Sequence, residues 1–235
     1  MLVAMRRRKF FTMILPVLLA GPAATQTPPK PPKSVRLYVF DNGVIKGIDP
    51  ARFEFKKEDL ATTEMVVASY LIVHPKGSHY HGDHIANAND FAGSTWLVQQ
   101  TERDAMFAEK PPNITQATLY AALKNSKTEI LKGQDYDVFG DGTVVIKAAY
   151  GHTPGHQVLY LKLAKTGPVL LAGDLYHYQE ERATHKVPTF EFNKEQSLAS
   201  REVIEAFLKK TRAQLWIEHD LANFNKLEKA PAYYD

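Results

Sequence analysis

Ser78-His79-Tyr80-His81-Gly82-Asp83-His84 sets three imidazoles and a carboxylate side by side, with no apolar periodicity to account for them. In an extended segment side chains alternate between faces, so His79 and His81 project the same way and can share one ion. Asp83 and His84 begin the next turn and can reach a second. Imidazole nitrogen and carboxylate oxygen are strong ligands for a borderline divalent ion that activates water. A lone histidine is normally a satisfied or solvated side chain, but this many ligand types at this spacing predict a metal site.

Working outward, 235 residues with 44% hydrophobic content suffice to bury a core, and a single folded domain is expected. There is no cysteine. The fold therefore has no disulfide and no thiolate ligand, and any metal must be held by His, Asp or Glu. The formal charge of +3 depends on Arg6, Arg7, Arg8 and Lys9; without residues 1–24 the balance is 25 basic against 26 acidic, or −1. No polyanion-binding surface follows, and no nucleic-acid partner is expected.

Arg6 to Lys9 precede the apolar run Phe10 to Ala20 and the small residues Gly21, Ala23 and Ala24. Residues 1–24 read as a signal peptide, too short for a comfortable membrane span, which implies a periplasmic or secreted protein with no stable membrane insertion after cleavage. Arg7-Arg8-Lys9-Phe10-Phe11 fits either a twin-arginine signal or an ordinary secretory one. Residues 25–34, with Pro28, Pro29, Pro31 and Pro32, read as an extended linker, and residues 35–235 as the folded domain.

In that domain Val35 to Phe40 is β-prone, and Asn42-Gly43 predicts a two-residue hairpin returning through Val44 to Ile48. Met65 to Val73 is a second strand run, ending at the turn His74-Pro75-Lys76-Gly77. Helix-favouring residues 101–125 are split by Pro111-Pro112 into two expected helices. Tyr136 to Phe139 and Val144 to Ala149 flank Asp141-Gly142 as a hairpin, and Gln157 to Leu163 and Val169 to Ala172 add strands. Asn193 is an N-cap, with Gln196 three residues on and Leu198, Val203, Ile204, Phe207 and Leu208 on one helix face. Gln214 to Glu218 closes the series. This order suits two packed sheets covered by helices, an α+β sandwich of αββα type. Further ligand types fall at strand ends: His152, Asp174 and His219. Taken singly, each has an ordinary reading as a turn, cap or helix-start residue.

Read together, His79-x-His81-x-Asp83-His84, Gly151-His152-Thr153-Pro154-Gly155-His156, Gly173-Asp174 and Glu218-His219-Asp220 resemble the metallo-β-lactamase superfamily. Tyr70 to Gly77, Ala86-Asn87-Ala88 and Trp216 to Asp220 look most like its N-acyl homoserine lactonase group. The resemblance implies that His79, His81 and His152 hold one metal, that Asp83, His84 and His219 hold a second, and that Asp174 bridges both. Two divalent ions, zinc foremost, would open a lactone by dimetal-activated water. Asp83 would carry the proton, and Tyr176 or Tyr178 would polarise the carbonyl. His156 is placed as a supporting residue, while His74, His177 and His185 have no ligand slot. A β-lactam or thioester substrate is the alternative, as is a shortened, catalytically silent form. Compared with that family, a segment is missing between Gly77 and Ser78, so the fold is expected to lack one or two strands and a substrate loop. Open strand edges would follow, and self-association through them is a further expectation.

Overall fold

Alternating apolar residues on both faces place the strand Gln157–Leu163 in the middle of a sheet, since Val158 and Leu161 are buried in different clusters. The computed structural model describes residues 34–72, 79–112 and 115–235. Its larger sheet is built from β5 (Tyr136–Asp137), β6 (Val144–Ala148), β7 (Gln157–Leu163), β8 (Gly167–Leu171) and β9 (Gln214–Trp216), in that order. Strands β5 to β8 are antiparallel neighbours, and β9 runs parallel to β8. The C-terminal ends of β6, β8 and β9 therefore lie along one edge. His152, Asp174 and His219 follow those ends, so sheet topology gathers them.

One face of this sheet packs through Val158 and Leu170 against Ile204 and Leu208 of α5 (Lys194–Thr211). The other face meets two smaller sheets. Leu37 of β1 (Leu37–Ile45) and Ile72 of β2 (Met65–Ile72) pack on Leu161, Val169 and Leu171. Leu97 of β3 (Trp96–Gln99) and Leu131 of β4 (Thr128–Leu131) pack on Ile146. Val39 and Val66, on the same face as Leu37 and Ile72, pack with Phe224 of α6 (Leu221–Phe224), and Trp96 of β3 packs with Met106 and Tyr120 of the helical segments. The result is the expected helix–sheet–sheet–helix sandwich. Residues 32–235 form one compact unit, and no described helix is long and apolar enough to cross a membrane.

Several local expectations hold. The Pro111-Pro112 break separates α2 (Gln100–Met106) from α3 (Ala117–Tyr120), and Asn193 caps α5 by accepting the Gln196 N–H at 2.9 Å. Others are corrected. Asn42-Gly43 makes no hairpin: β1 runs through it as one strand, with a bulge between Asp41 and Val44 where the Asp41 carboxylate accepts the Gly43 N–H. Val203 is 63% exposed, and the buried face of α5 is instead Ser197, Arg201, Ile204 and Leu208. β4 was not anticipated, because Thr128-Glu129-Ile130-Leu131 lacks clean alternation.

Among the described residues β2 pairs only with β1, and β3 only with β4. The Gly77–Ser78 junction itself, and residues 1–33, where a signal peptide and most of a linker are expected, lie outside the described residues.

The loop after β6 depends on close approach. Gly151 has φ +130°, and a Cβ there would sit 2.2 Å from the Ser197 nitrogen of α5. Gly151→Ala is expected to destabilise the protein by about 3 kcal/mol or more. Urea unfolding checks this, and an unchanged midpoint would contradict the packing.

Candidate metal centre

The site is built around Asp174, carried on a single 3-10 turn, Gly173–Leu175, directly after β8. Its carboxylate is 4% exposed and faces five imidazoles. Oδ1 lies 2.9 Å from His84 Nε2 and 3.2 Å from His219 Nε2. Oδ2 lies 3.1 Å from His152 Nε2, 3.4 Å from His177 Nε2 and 3.5 Å from His79 Nε2. His79 arrives just ahead of α1 (Gly82–Ile85), which His81 precedes as N-cap and which carries Asp83 and His84. All seven side chains expected as ligands come together, in two groups: His79, His81, His152 and Asp174, then Asp83, His84 and His219.

Supporting contacts fix the ring orientations. His219 Nδ1–H donates to the Val66 carbonyl at 2.8 Å, His152 Nδ1 meets Glu191 at 2.8 Å, and His84 Nδ1 faces Glu218 at 3.4 Å. Each leaves its Nε2 turned towards Asp174, the arrangement in which a metal-ligating imidazole is normally backed by a carbonyl or carboxylate. His156 accepts the Asp174 N–H on Nε2 at 3.1 Å and donates from Nδ1 to Ala149 O at 3.0 Å, so it positions the carboxylate's backbone. Arg201 of α5 clamps the same turn by donating to Leu175 O at 2.8 Å, which explains a buried cation on that helix face.

Electrostatics fit cations here. Burial opposes charge on Asp174, yet the imidazoles of His84, His219, His79 and His177 hold its carboxyl well below the usual range. Burial, helped by the His152 charge, pushes His81 down to about 3, and burial with the His84 charge pushes His79 well below its ordinary value. His84 moves the other way: burial opposes protonation, but Asp174 and Glu218 outweigh it. So many protonated rings around one buried carboxylate would repel one another, whereas neutral Nε2 lone pairs can converge on divalent ions. His81 Nε2 is buried with no hydrogen-bond partner, as a ligand atom awaiting an ion would be. Nitrogen and oxygen donors without thiolate suit zinc and its neighbours.

Three contributors escaped the sequence reading. His177, assigned no slot there, is 3% exposed, stacks on His219 at 4° between ring planes and touches Asp174. Burial opposes its protonation, but Asp174 and Glu181 raise it to about 10. Glu191 orients His152. Glu102 accepts from Tyr80 N (2.9 Å), Thr153 Oγ1 (2.8 Å) and Gly155 N (2.8 Å), tying the His79–His81 segment to the His152 loop. Only His177 carried a signal, its spacing of three residues from Asp174 on a tight turn. The two tyrosines proposed for carbonyl contact are placed differently. The Tyr176 hydroxyl is engaged by Glu205 at 3.1 Å beneath Arg201. The Tyr178 hydroxyl is buried without a partner among the described residues, and its ring packs on Phe53. His185 is exposed at the end of α4 (Glu180–Thr184), and His74 lies outside the described residues.

The sandwich with two His/Asp clusters on its strand-end edge defines a metallo-hydrolase scaffold. The chain belongs to the metallo-beta-lactamase superfamily, whose profile matches residues 78–213. It is 28% identical over 166 residues to the N-acyl homoserine lactonase AttM of Azorhizobium caulinodans, a match covering 67% of this chain and 62% of that protein. An N-acyl homoserine lactonase from a Bacillus species is 30% identical over 156 residues, covering 66% and 59%. The chain thus spans about three fifths of the length of these relatives. In structure it resembles a Bacillus thuringiensis AiiA variant with N-decanoyl-L-homoserine bound at its active site, at TM-score 0.70 and 20% identity, over 85% of this chain and 99% of that one. It also resembles AidC, a dizinc quorum-quenching lactonase, at TM-score 0.63 and 16% identity over 86% and 94%.

Burial drives the Glu102 carboxyl up to about 7, against the three hydrogen bonds that favour its charge. With the folded value above the unfolded one, the native state holds the proton longer, so this group's contribution falls as pH rises from about 4.5 to 7. Relative to Glu102→Gln, the wild type is expected to lose up to about 3 kcal/mol between pH 5 and pH 7. Parallel denaturation curves read this directly, and a difference that does not vary with pH would show that Glu102 stays ionised.

Proposed function

We propose that this chain is a metal-dependent hydrolase that opens the ester of a lactone of the N-acyl homoserine type, with two divalent ions, zinc foremost, as cofactors. The observation that carries the proposal is the gathering of five imidazoles within 3.5 Å of Asp174, with Asp83 beside them. The likeness to AttM and the Bacillus lactonase supports the substrate class. His79, His81 and His152 would hold one ion, Asp83, His84 and His219 the other, and Asp174 both. When bound, the ions supply water activation and carbonyl polarisation.

The remaining work falls to the chain's own groups. The Asp83 side chain is 28% exposed, with Oδ2 3.5 Å from His219 Nε2 and 3.7 Å from His84 Nε2. It therefore sits at the solvent-facing rim, where a carboxylate can take a proton from the attacking water and return it to the departing alkoxide. His177, braced by Glu181 and set between His152 and His219, has Nε2 3.4 Å from Asp174 Oδ2 and would serve as the donor that orients the carbonyl. Tyr176, whose hydroxyl is already bound, is the weaker candidate for that task, and Tyr178 the intermediate one. The basic-then-apolar pattern of residues 6–24 supports action in the periplasm or outside the cell.

Metal analysis of the purified protein, combined with hydrolysis of short- and long-chain lactones, tests the proposal. About two equivalents of metal and lactone opening are expected. A protein that opens nitrocefin but no lactone would move the substrate to β-lactams, and one without bound metal or turnover would be the silent form. His177→Ala is expected to retain its metal and lose about a hundredfold in kcat. Tyr176→Phe should lose less than about threefold, and the reverse ranking would return the donor role to tyrosine.

A further inference from the structure

Glu191 lies on the short stretch that leads into α5. Its Oε1 is 2.8 Å from His152 Nδ1, and its Oε2 accepts the Ser197 hydroxyl from the first turns of the helix. The Glu191 and His152 side chains are both 2% exposed. Backbone bonds hold them together, because Phe192 N–H donates to His152 O at 3.3 Å and Asn193 N–H donates to Gly151 O at 2.9 Å. The chain before α5 thus runs alongside the His152 loop, an approach that Gly151 permits against the Ser197 nitrogen. Phe190 adds a ring contact to His152 and another to His177, with centroids 6.1 Å and 5.9 Å apart.

A carboxylate this deeply buried needs a positive charge close by, since an uncompensated one is costly. Among the described residues no Lys or Arg forms an ion pair with Glu191, and its ion-pair partner is His152. The compensating charge therefore comes through the imidazole. His152 Nε2 points the other way, 3.1 Å from Asp174 and 3.0 Å from His81 Nδ1, among the expected ligands of one ion. A divalent ion on Nε2 supplies that charge, and the carboxylate in return fixes the tautomer and makes the ring a stronger donor. We infer that Glu191 is a positioning residue for one metal position and not for the other. Acting through His152, it sets the affinity for the ion at His79, His81 and His152. The ion at Asp83, His84 and His219 is bound independently of it, because His84 is backed by Glu218 and His219 by the Val66 carbonyl. This rests on the metal reading proposed above and not on the substrate.

Zinc titration of the metal-free protein against a chelating dye measures both positions, and anomalous diffraction from crystals at limiting zinc assigns them. Glu191→Gln keeps the shape and the acceptor but removes the charge. It should lower the affinity for one ion by about tenfold, and Glu191→Ala by about a hundredfold, with the other ion held within about threefold of wild type. In crystals of Glu191→Gln the zinc peak among His79, His81 and His152 should fade first, while the peak at Asp83, His84 and His219 stays. Ser197→Ala, which keeps the charge but frees one carboxylate oxygen, should fall between wild type and Glu191→Ala. Should the alanine variant not fold, the glutamine variant decides. Unchanged affinities, fading of the other peak, or an equal loss at both positions overturns the inference, equal loss being the mark of a general loosening of the fold. A wild-type protein that binds no zinc overturns it together with the metal reading. If zinc binds as described but no lactone is opened, the Glu191 assignment stands and the lactonase reading falls.

Discussion

The site turns on one buried carboxylate. Asp174 faces five imidazoles from four separate segments, and protonating all of these rings at once would set like charges against one another in a buried site. Divalent cations would suit the cluster, because neutral nitrogen lone pairs and a shared carboxylate are what such ions require. Much of the fold serves to hold that cluster. α5 supplies Arg201 to the Leu175 carbonyl and packs against Gly151, β2 gives the Val66 carbonyl to His219, and Glu102 joins the His79 segment to the loop bearing His152. An ion bound there would couple its own binding to the docking of these layers.

The candidate ligand set, whose side chains the fold brings together, was legible in the sequence because ligation needs particular residue types at short spacing, and strands ending on one edge carry such residues in a recognisable order. The helix–sheet–sheet–helix layering was legible for a similar reason, since alternation and caps such as Asn193 act locally. What remained hidden acts across the fold. Glu191 and Glu102 are ordinary acidic residues until α5 and α2 bring them to His152 and to Tyr80. His177 became part of the cluster only because the turn after Asp174 curls back on itself. The bulge at Asp41 beat the hairpin signal of Asn42-Gly43 because β1 had a continuous partner in β2.

Among the described residues β1–β2 and β3–β4 are separate sheets, and a cavity lined by residues of both reaches His79, Asp83 and His84. The ligands still converge, because α1 and the Glu102 bonds locate His79 and His81 independently of β2.

The most direct test is anomalous diffraction at the zinc edge from crystals of the zinc-loaded protein. The account predicts two peaks, one bounded by His79, His81 and His152 and the other by Asp83, His84 and His219, with Asp174 touching both. A single peak that excludes Asp174, or no peak among these residues, would contradict it.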